Sequence, residues 1–216
     1  MKKIILLLSL ALAFMGFVGA YACTSAIISG RLTENGRPLL WKNRDTSDLN
    51  NKVEKIDSKD GSYAYVAVFN GSDTDCKEAW IGFNSEGFAI MNTASYNLKD
   101  DDVKEMDKEG LVMSRALASC RTVDDFERLL AELPKPLGVE ANFGVIDAEG
   151  NAAYFETDNW KCKRFDVDDT EEGYIVRTNY SKSGRKDEGY GYIREENAET
   201  LLAPYIAARN VTPAVF

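Results

Sequence analysis

Cys23 is the residue around which chemistry can be built, because of what precedes it and what the chain lacks. The sequence contains no histidine. A Cys-His dyad and a Ser-His-Asp triad are therefore both impossible, as is a histidine-ligated metal. The cysteines, Cys23, Cys76, Cys120 and Cys162, form no C-x-x-C pair, so the usual zinc spacing is missing as well. A nucleophile in this chain needs another general base. A free α-amino group titrates at about 7.7–8.0 and is suited to that work near neutral pH. If Cys23 were the first residue of a processed chain, nucleophile and base would sit on one residue.

The segment ahead of Cys23 supplies the cut. Met1-Lys2-Lys3 is basic, residues 4–18 are almost entirely apolar, and Ala20-Tyr21-Ala22 has the A-x-A form of a cleavage site. These features predict a secretory signal over 1–22 and a single domain over 23–216, exported to the periplasm or the extracellular space. The apolar run falls short of the roughly 20 residues of a membrane span, and no later segment reaches that length. Two other fates for Cys23 fit the sequence. Bacterial lipoproteins also begin at a cysteine, which would give a non-catalytic, lipid-anchored binding protein, although Tyr21 is bulky for a lipidation site. An even number of cysteines in an oxidising compartment also allows a disulfide.

The net charge of −9 becomes −11 once Lys2 and Lys3 are removed. That balance argues against nucleic acid or an anionic membrane surface as the partner. The acidic stretches Asp100-Asp101-Asp102 and 166–172 match no EF-hand loop and read as solvated loops. No cofactor and no metal is expected, and an oligomeric state is not readable.

The elements that must position Cys23 follow from pattern. Thr24 to Ile28 and Leu39 to Trp41 read as strands joined by a turn at Glu34-Asn35-Gly36. Tyr63 to Phe69 and Tyr174 to Thr178 are further strands. Two hairpins are predicted, Trp80–Asn84 with Phe88–Asn92, and Asn142–Ile146 with Ala152–Glu156, each closed by a glycine-bearing turn. Helices are expected near 107–119, from Thr122 as cap to Pro134, and from about Tyr192. The last is given an apolar side of Ala198, Leu201, Leu202, Tyr205 and Ile206. Antiparallel strands with helices grouped between them predict an α+β layered fold. Trp41, Trp80 and Trp160 read as core or pocket wall.

Cys23-Thr24-Ser25 followed by Asn43-Arg44-Asp45 resembles the choloylglycine hydrolase and penicillin V acylase superfamily of N-terminal nucleophile (Ntn) hydrolases. The likeness is strongest to the branch named for acyl-coenzyme A:6-aminopenicillanic acid acyltransferase (peptidase family C45). Asn43 and Asp45 match the family's Arg-Asn-x-Asp motif. The family arginine falls on Lys42, with Arg44 one step beyond the asparagine, so either supplies the cation. Gly82 to Phe88 is similar to a family hairpin, with Asn92 after it. Asn142 and the following turn resemble the next hairpin, and Thr178-Asn179 and Arg194 match later positions. The resemblance implies an αββα four-layer sandwich, longer in the family than this chain. It also implies hydrolysis, or acyl transfer, at a linear amide of a small N-acyl compound. By that resemblance Cys23 is the nucleophile, Asp45 holds its amine, Lys42 or Arg44 stabilises the thiolate, and Asn92 and Asn179 bind the oxyanion. Arg194 joins them as a family site position.

Overall fold

The computed structural model describes residues 22–98 and 102–216. Residues 1–21 of the predicted signal, 1–22, lie outside the described residues, as do Asp100 and Asp101. Ten strands are described: β1 (Thr24–Ile28), β2 (Leu39–Asn43), β3 (Asn51–Ile56), β4 (Tyr65–Asn70), β5 (Ile81–Asn84), β6 (Ala89–Ala94), β7 (Ala141–Ile146), β8 (Ala152–Thr157), β9 (Cys162–Asp166) and β10 (Tyr174–Arg177). Three α-helices are described with them: α1 (Glu109–Ser119), α2 (Val123–Glu132) and α3 (Tyr192–Ala208).

The strands form two sheets. A seven-stranded antiparallel meander runs in chain order from β3 to β9, and a three-stranded sheet has the order β10-β1-β2. Three apolar clusters mark the gaps between layers. Phe69, Phe88, Phe143 and Phe155 of the large sheet pack against Met113 and Leu117 of α1 and Phe126 and Leu130 of α2. Ile27 and Ile175 of the small sheet meet Met91 and Tyr154 of the large one. Ala26, Ile28 and Val176 of the small sheet receive Leu202 of α3. Helices, sheet, sheet, helix is the order of an αββα sandwich, as expected.

The alternation within β1 shows how sequence selects this order. Strand side chains point to opposite faces in turn. Ala26 and Ile28 go to α3 and Ile27 goes to the large sheet, so every residue of β1 is buried. Both predicted hairpins form, and each turn is tied to a helix end. Asn84 donates from Nδ2 to the carbonyls of Leu117 (2.9 Å) and Cys120 (2.7 Å), satisfying the end of α1. Gly87 supplies the positive φ of +83° that closes this hairpin. Asp147, in the second turn, accepts the Val123 N–H at the start of α2 (3.0 Å). Thr122 caps that helix through a reciprocal box with Asp125, which answers the unpaired N–H groups of a helix start.

Three expectations are corrected. β3 and β9 were not anticipated. Both are edges of the large sheet and carry exposed charges, Glu54 and Lys55 in one and Lys163 in the other, which discourages edge pairing but hides the apolar alternation. On α3, Leu201 and Tyr205 do not face the core; they are 72% and 45% exposed, and Leu202 alone of the helix's large apolar residues is buried. The disulfide reading of Cys23 fails, because all four cysteines are free thiols. Among the described residues no helix is long and apolar enough to cross a membrane.

Phe126 packs edge-on to Phe143 and Phe155, with ring centroids at 5.6 and 5.2 Å. Phe126→Ala should cost about 3–5 kcal/mol in urea unfolding. Leu201→Ala should stay within about 0.5 kcal/mol, in keeping with its exposure.

Candidate active site

Strand pairing brings the site together. Ser25 is registered with Lys42 on β2 and with Arg177 on β10. Running both registers two residues further sets Cys23 between Arg44 on one side and Asn179 on the other. Cys23 shares the parity of Ser25 and Ile27, so its thiol lies on the face turned to the large sheet. It is 8% exposed and opens on a cavity of about 320 Å³. Lys42, Arg44, Asp45, Asn92 and Asn179 line the same cavity. Six of the seven residues singled out from sequence thus share one space, and the seventh, Arg194, lies behind it and holds it together.

Arg194 is in the first turn of α3. Its guanidinium donates to the Cys23 carbonyl, to Thr24 Oγ1 (3.1 Å) and to Asn179 Oδ1 (2.8 Å). Gly191, with φ of +101°, lets the helix start this close; a Cβ there would lie 2.6 Å from both Arg194 Nη2 and Thr178 Oγ1. Asn142 secures the strand from the other side, its Nδ2 donating to Thr93 Oγ1 and to the carbonyls of Thr178 and Tyr180. A buried ion pair between Arg177 Nε and Glu156 Oε1 (2.9 Å) ties β10 to β8.

The orientations of the two asparagine amides follow from chemistry. Lysine and arginine only donate hydrogen bonds. Lys42 Nζ donates to Asn92 Oδ1 (2.8 Å) and to the Trp80 carbonyl (2.9 Å). Arg194 donates to Asn179 Oδ1, and Asn179 Nδ2 donates to the Ala94 carbonyl (2.9 Å). In each asparagine the carbonyl end faces a cation, so the NH₂ end is turned away as a donor, with at least one N–H of Asn179 still unassigned.

Cations surround the thiol. Burial lowers Lys42 to about 8, against the attraction of Cys23. Burial also lowers Arg44 and Arg194, and proximity to Cys23 opposes the shift in both. Arg44 is engaged elsewhere: it donates to Asn51 and Asn70 and lies over the Trp80 ring at 5.1 Å. Asp45 is beside the predicted cut. Its Oδ2 accepts the Ala22 N–H at 2.9 Å, and its main-chain carbonyl lies 3.7 Å from Cys23 Sγ.

Sequence reasoning missed the acidic wall of the cavity: Glu109, Glu140 and the exposed Asp107. Glu109 is the first residue of α1, where an acidic side chain ordinarily reads as a complement to the helix dipole, so nothing in the sequence marks it. Among the described residues no group of three or more His, Cys, Asp or Glu has the geometry of a metal site.

The fold and the cysteine-headed first strand define the Ntn hydrolase class. The model of the acyl-coenzyme A:6-aminopenicillanic acid acyl-transferase family matches residues 31–200, and the chain belongs to that family. No curated protein matches the sequence. Two solved structures share the fold. A mutant conjugated bile acid hydrolase from Clostridium perfringens is 17% identical, with a TM-score of 0.52 over 74% of this chain and 54% of that one. An N-acylethanolamine-hydrolyzing acid amidase orthologue from Caenorhabditis elegans is 12% identical, with a TM-score of 0.60 over 89% of this chain and 87% of that one. The chain thus spans about half the length of the bile acid hydrolase.

Burial raises Glu109 to about 7, with Asp107 and Glu140 adding to the shift. A carboxyl raised on folding binds more protons in the folded state between its ordinary value and about 7, so its charge destabilises the fold above that window. Glu109→Gln should therefore stabilise the protein by about 2–3 kcal/mol at pH 8 and by little at pH 4.5, read as the difference between wild-type and variant urea curves.

Proposed function

We propose that the chain is an exported cysteine Ntn hydrolase that cleaves the linear amide bond of a small N-acyl compound, with Cys23 as the first residue of the processed chain. One observation carries the reading: Cys23 lines a cavity with Asp45, and the Asp45 carboxylate already holds the N–H beside the predicted cut. The family match and the shared fold support the reaction class. Cleavage between Ala22 and Cys23 turns the Cys23 nitrogen into an amine within reach of the same carboxylate.

The steps follow from these positions. The α-amine takes the thiol proton, directly or through one water, and the sulfur attacks the amide carbonyl. Lys42 is the cation best set to favour the thiolate, since Arg44 is held by Asn51 and Asn70. The oxyanion is met by the NH₂ ends of Asn92 and Asn179. The α-ammonium returns its proton to the nitrogen as the C–N bond breaks, and the amine leaves with the acyl group on sulfur. Water then attacks the thioester, and an amine in its place makes the site an acyltransferase. Lys42 and Arg194 act by fixing which ends of the asparagines face the carbonyl, and Arg194 also fixes the backbone of the nucleophile.

Intact mass of the exported protein should begin at Cys23, without added lipid, and Cys23→Ala should abolish hydrolysis of acyl amides. Asn179→Ala should lower kcat about 10²- to 10³-fold, the usual effect of losing one oxyanion donor. An active protein that keeps any residue ahead of Cys23, or a Cys23→Ala variant with wild-type rates, would overturn the reading.

A further inference from the structure

The cavity around Cys23 is lined by groups of both signs: the cations Lys42 and Arg44, with Arg194 behind them, and an acidic wall of Asp107, Glu109 and Glu140. Glu109 stands apart within the acidic group. It is 6% exposed, yet among the described residues its hydrogen-bond donors are the backbone N–H groups of Glu140 and of Glu109 itself. Its Oε1 accepts the Glu140 N–H at 3.0 Å, and no described side chain donates to either oxygen. A buried carboxylate is ordinarily paired, because removing it from water costs much that only a cation or several donors can offset. A helix-dipole role would be served as well by an acidic residue in solvent. Lys42 is not the missing partner: its Nζ goes to Trp80 and Asn92, and it reaches Glu109 only through the field.

We propose that this acidic wall, centred on Glu109, binds a protonated amine of the substrate, so that the compound cleaved at Cys23 is a small amide bearing an ammonium group; the proposal rests on the amidase reading above. The volume of about 320 Å³ agrees with a small ligand, being near the lower bound for small-molecule sites. An ammonium there adds a charged donor to the two backbone donors of Glu109, beside Asp107 in the same wall.

The ammonium can belong to the acyl part or to the leaving amine, and two matched pairs of compounds tell these apart. β-Alanyl anilide and butyryl anilide differ only in an ammonium on the acyl side. N-butyryl-ethylenediamine and N-butyryl-propylamine differ only in one on the leaving side. For one pair, wild-type protein should favour the ammonium compound about 10- to 100-fold in kcat/KM, the range of a charged hydrogen bond, and in Glu109→Gln that ratio should fall to near one. Asp107→Asn, a change at an exposed residue already in the left-handed region, should lower the ratio by a smaller factor. Ratios near one in wild type, or a ratio unchanged in Glu109→Gln while both rates fall together, would overturn the proposal, the latter because it assigns Glu109 to the tuning of Lys42. Calorimetric binding of the same four compounds to Cys23→Ala gives a readout that needs no turnover. Tighter binding of the ammonium compound, lost when Glu109→Gln is added, supports the proposal even if wild type cleaves none of the four, a result that would count against the amidase reading alone. Equal binding within both pairs overturns the ammonium site and leaves the amidase reading standing.

Discussion

The pairing of β1 with both its neighbours is the constraint on which the site depends. Antiparallel register has a period of two, and a slip of one residue would turn Cys23 away from the cavity and bring Thr24 in its place. Burial on both faces prevents the slip. Ala26 and Ile28 are needed under α3, Ile27 against Met91 and Tyr154, and Ser25 Oγ is hydrogen-bonded to Tyr154 OH at 2.9 Å. Once that register holds, Lys42 of β2, Arg44 just after it and Asn179 after β10 are brought round the thiol. The proposed nucleophile therefore sits at the head of a strand in a layered core, and the Arg194 contacts fix the one residue that the strand itself leaves free.

The electrostatics of the cavity follow from burial. Lys42, lining the cavity, and Arg194, behind it, make their hydrogen bonds among the described residues to neutral oxygens. A desolvated cation of this kind favours any anion formed nearby, a thiolate or an oxyanion, more strongly than a solvated one would. Burial is what lowers Lys42 to about 8. The same low dielectric makes the buried charge of Glu109 costly.

How much of this was legible in the sequence depended on the kind of signal. The strand over Thr24–Ile28, both hairpins and the Thr122 cap were readable because local rules and burial agree there. That Cys23, Lys42, Arg44, Asp45, Asn92 and Asn179 line one cavity agrees with a reading made from the absence of histidine, the position of Cys23 and the motif resemblance. The edge strands β3 and β9 were not readable, since residues such as Glu54, Lys55 and Lys163 serve solubility at an edge and erase the period-two pattern. The apolar side of α3 was overdrawn, because a helix in an outer layer needs only a narrow stripe, here Leu202 with Ala198 and Ile206. Glu109 was invisible for another reason: it is buried in the wall of the cavity that Cys23 also lines, and that is a fact of tertiary structure alone.

The link between processing and chemistry has a physical consequence of its own. While Ala22 is attached, the Cys23 nitrogen is a peptide nitrogen and cannot act as a base, whatever surrounds it. Histidine is absent, and Lys42 directs its ammonium to two acceptors, the Trp80 carbonyl and Asn92 Oδ1. The surrounding geometry is nevertheless already assembled: Asp45 holds the Ala22 N–H, and Arg194 holds the Cys23 carbonyl. In the proposed reaction, cutting one peptide bond changes one functional group and requires no movement of the sheets. On the proposed mechanism, removal of the leader is what supplies the base, while the described residues that line the cavity are already in place.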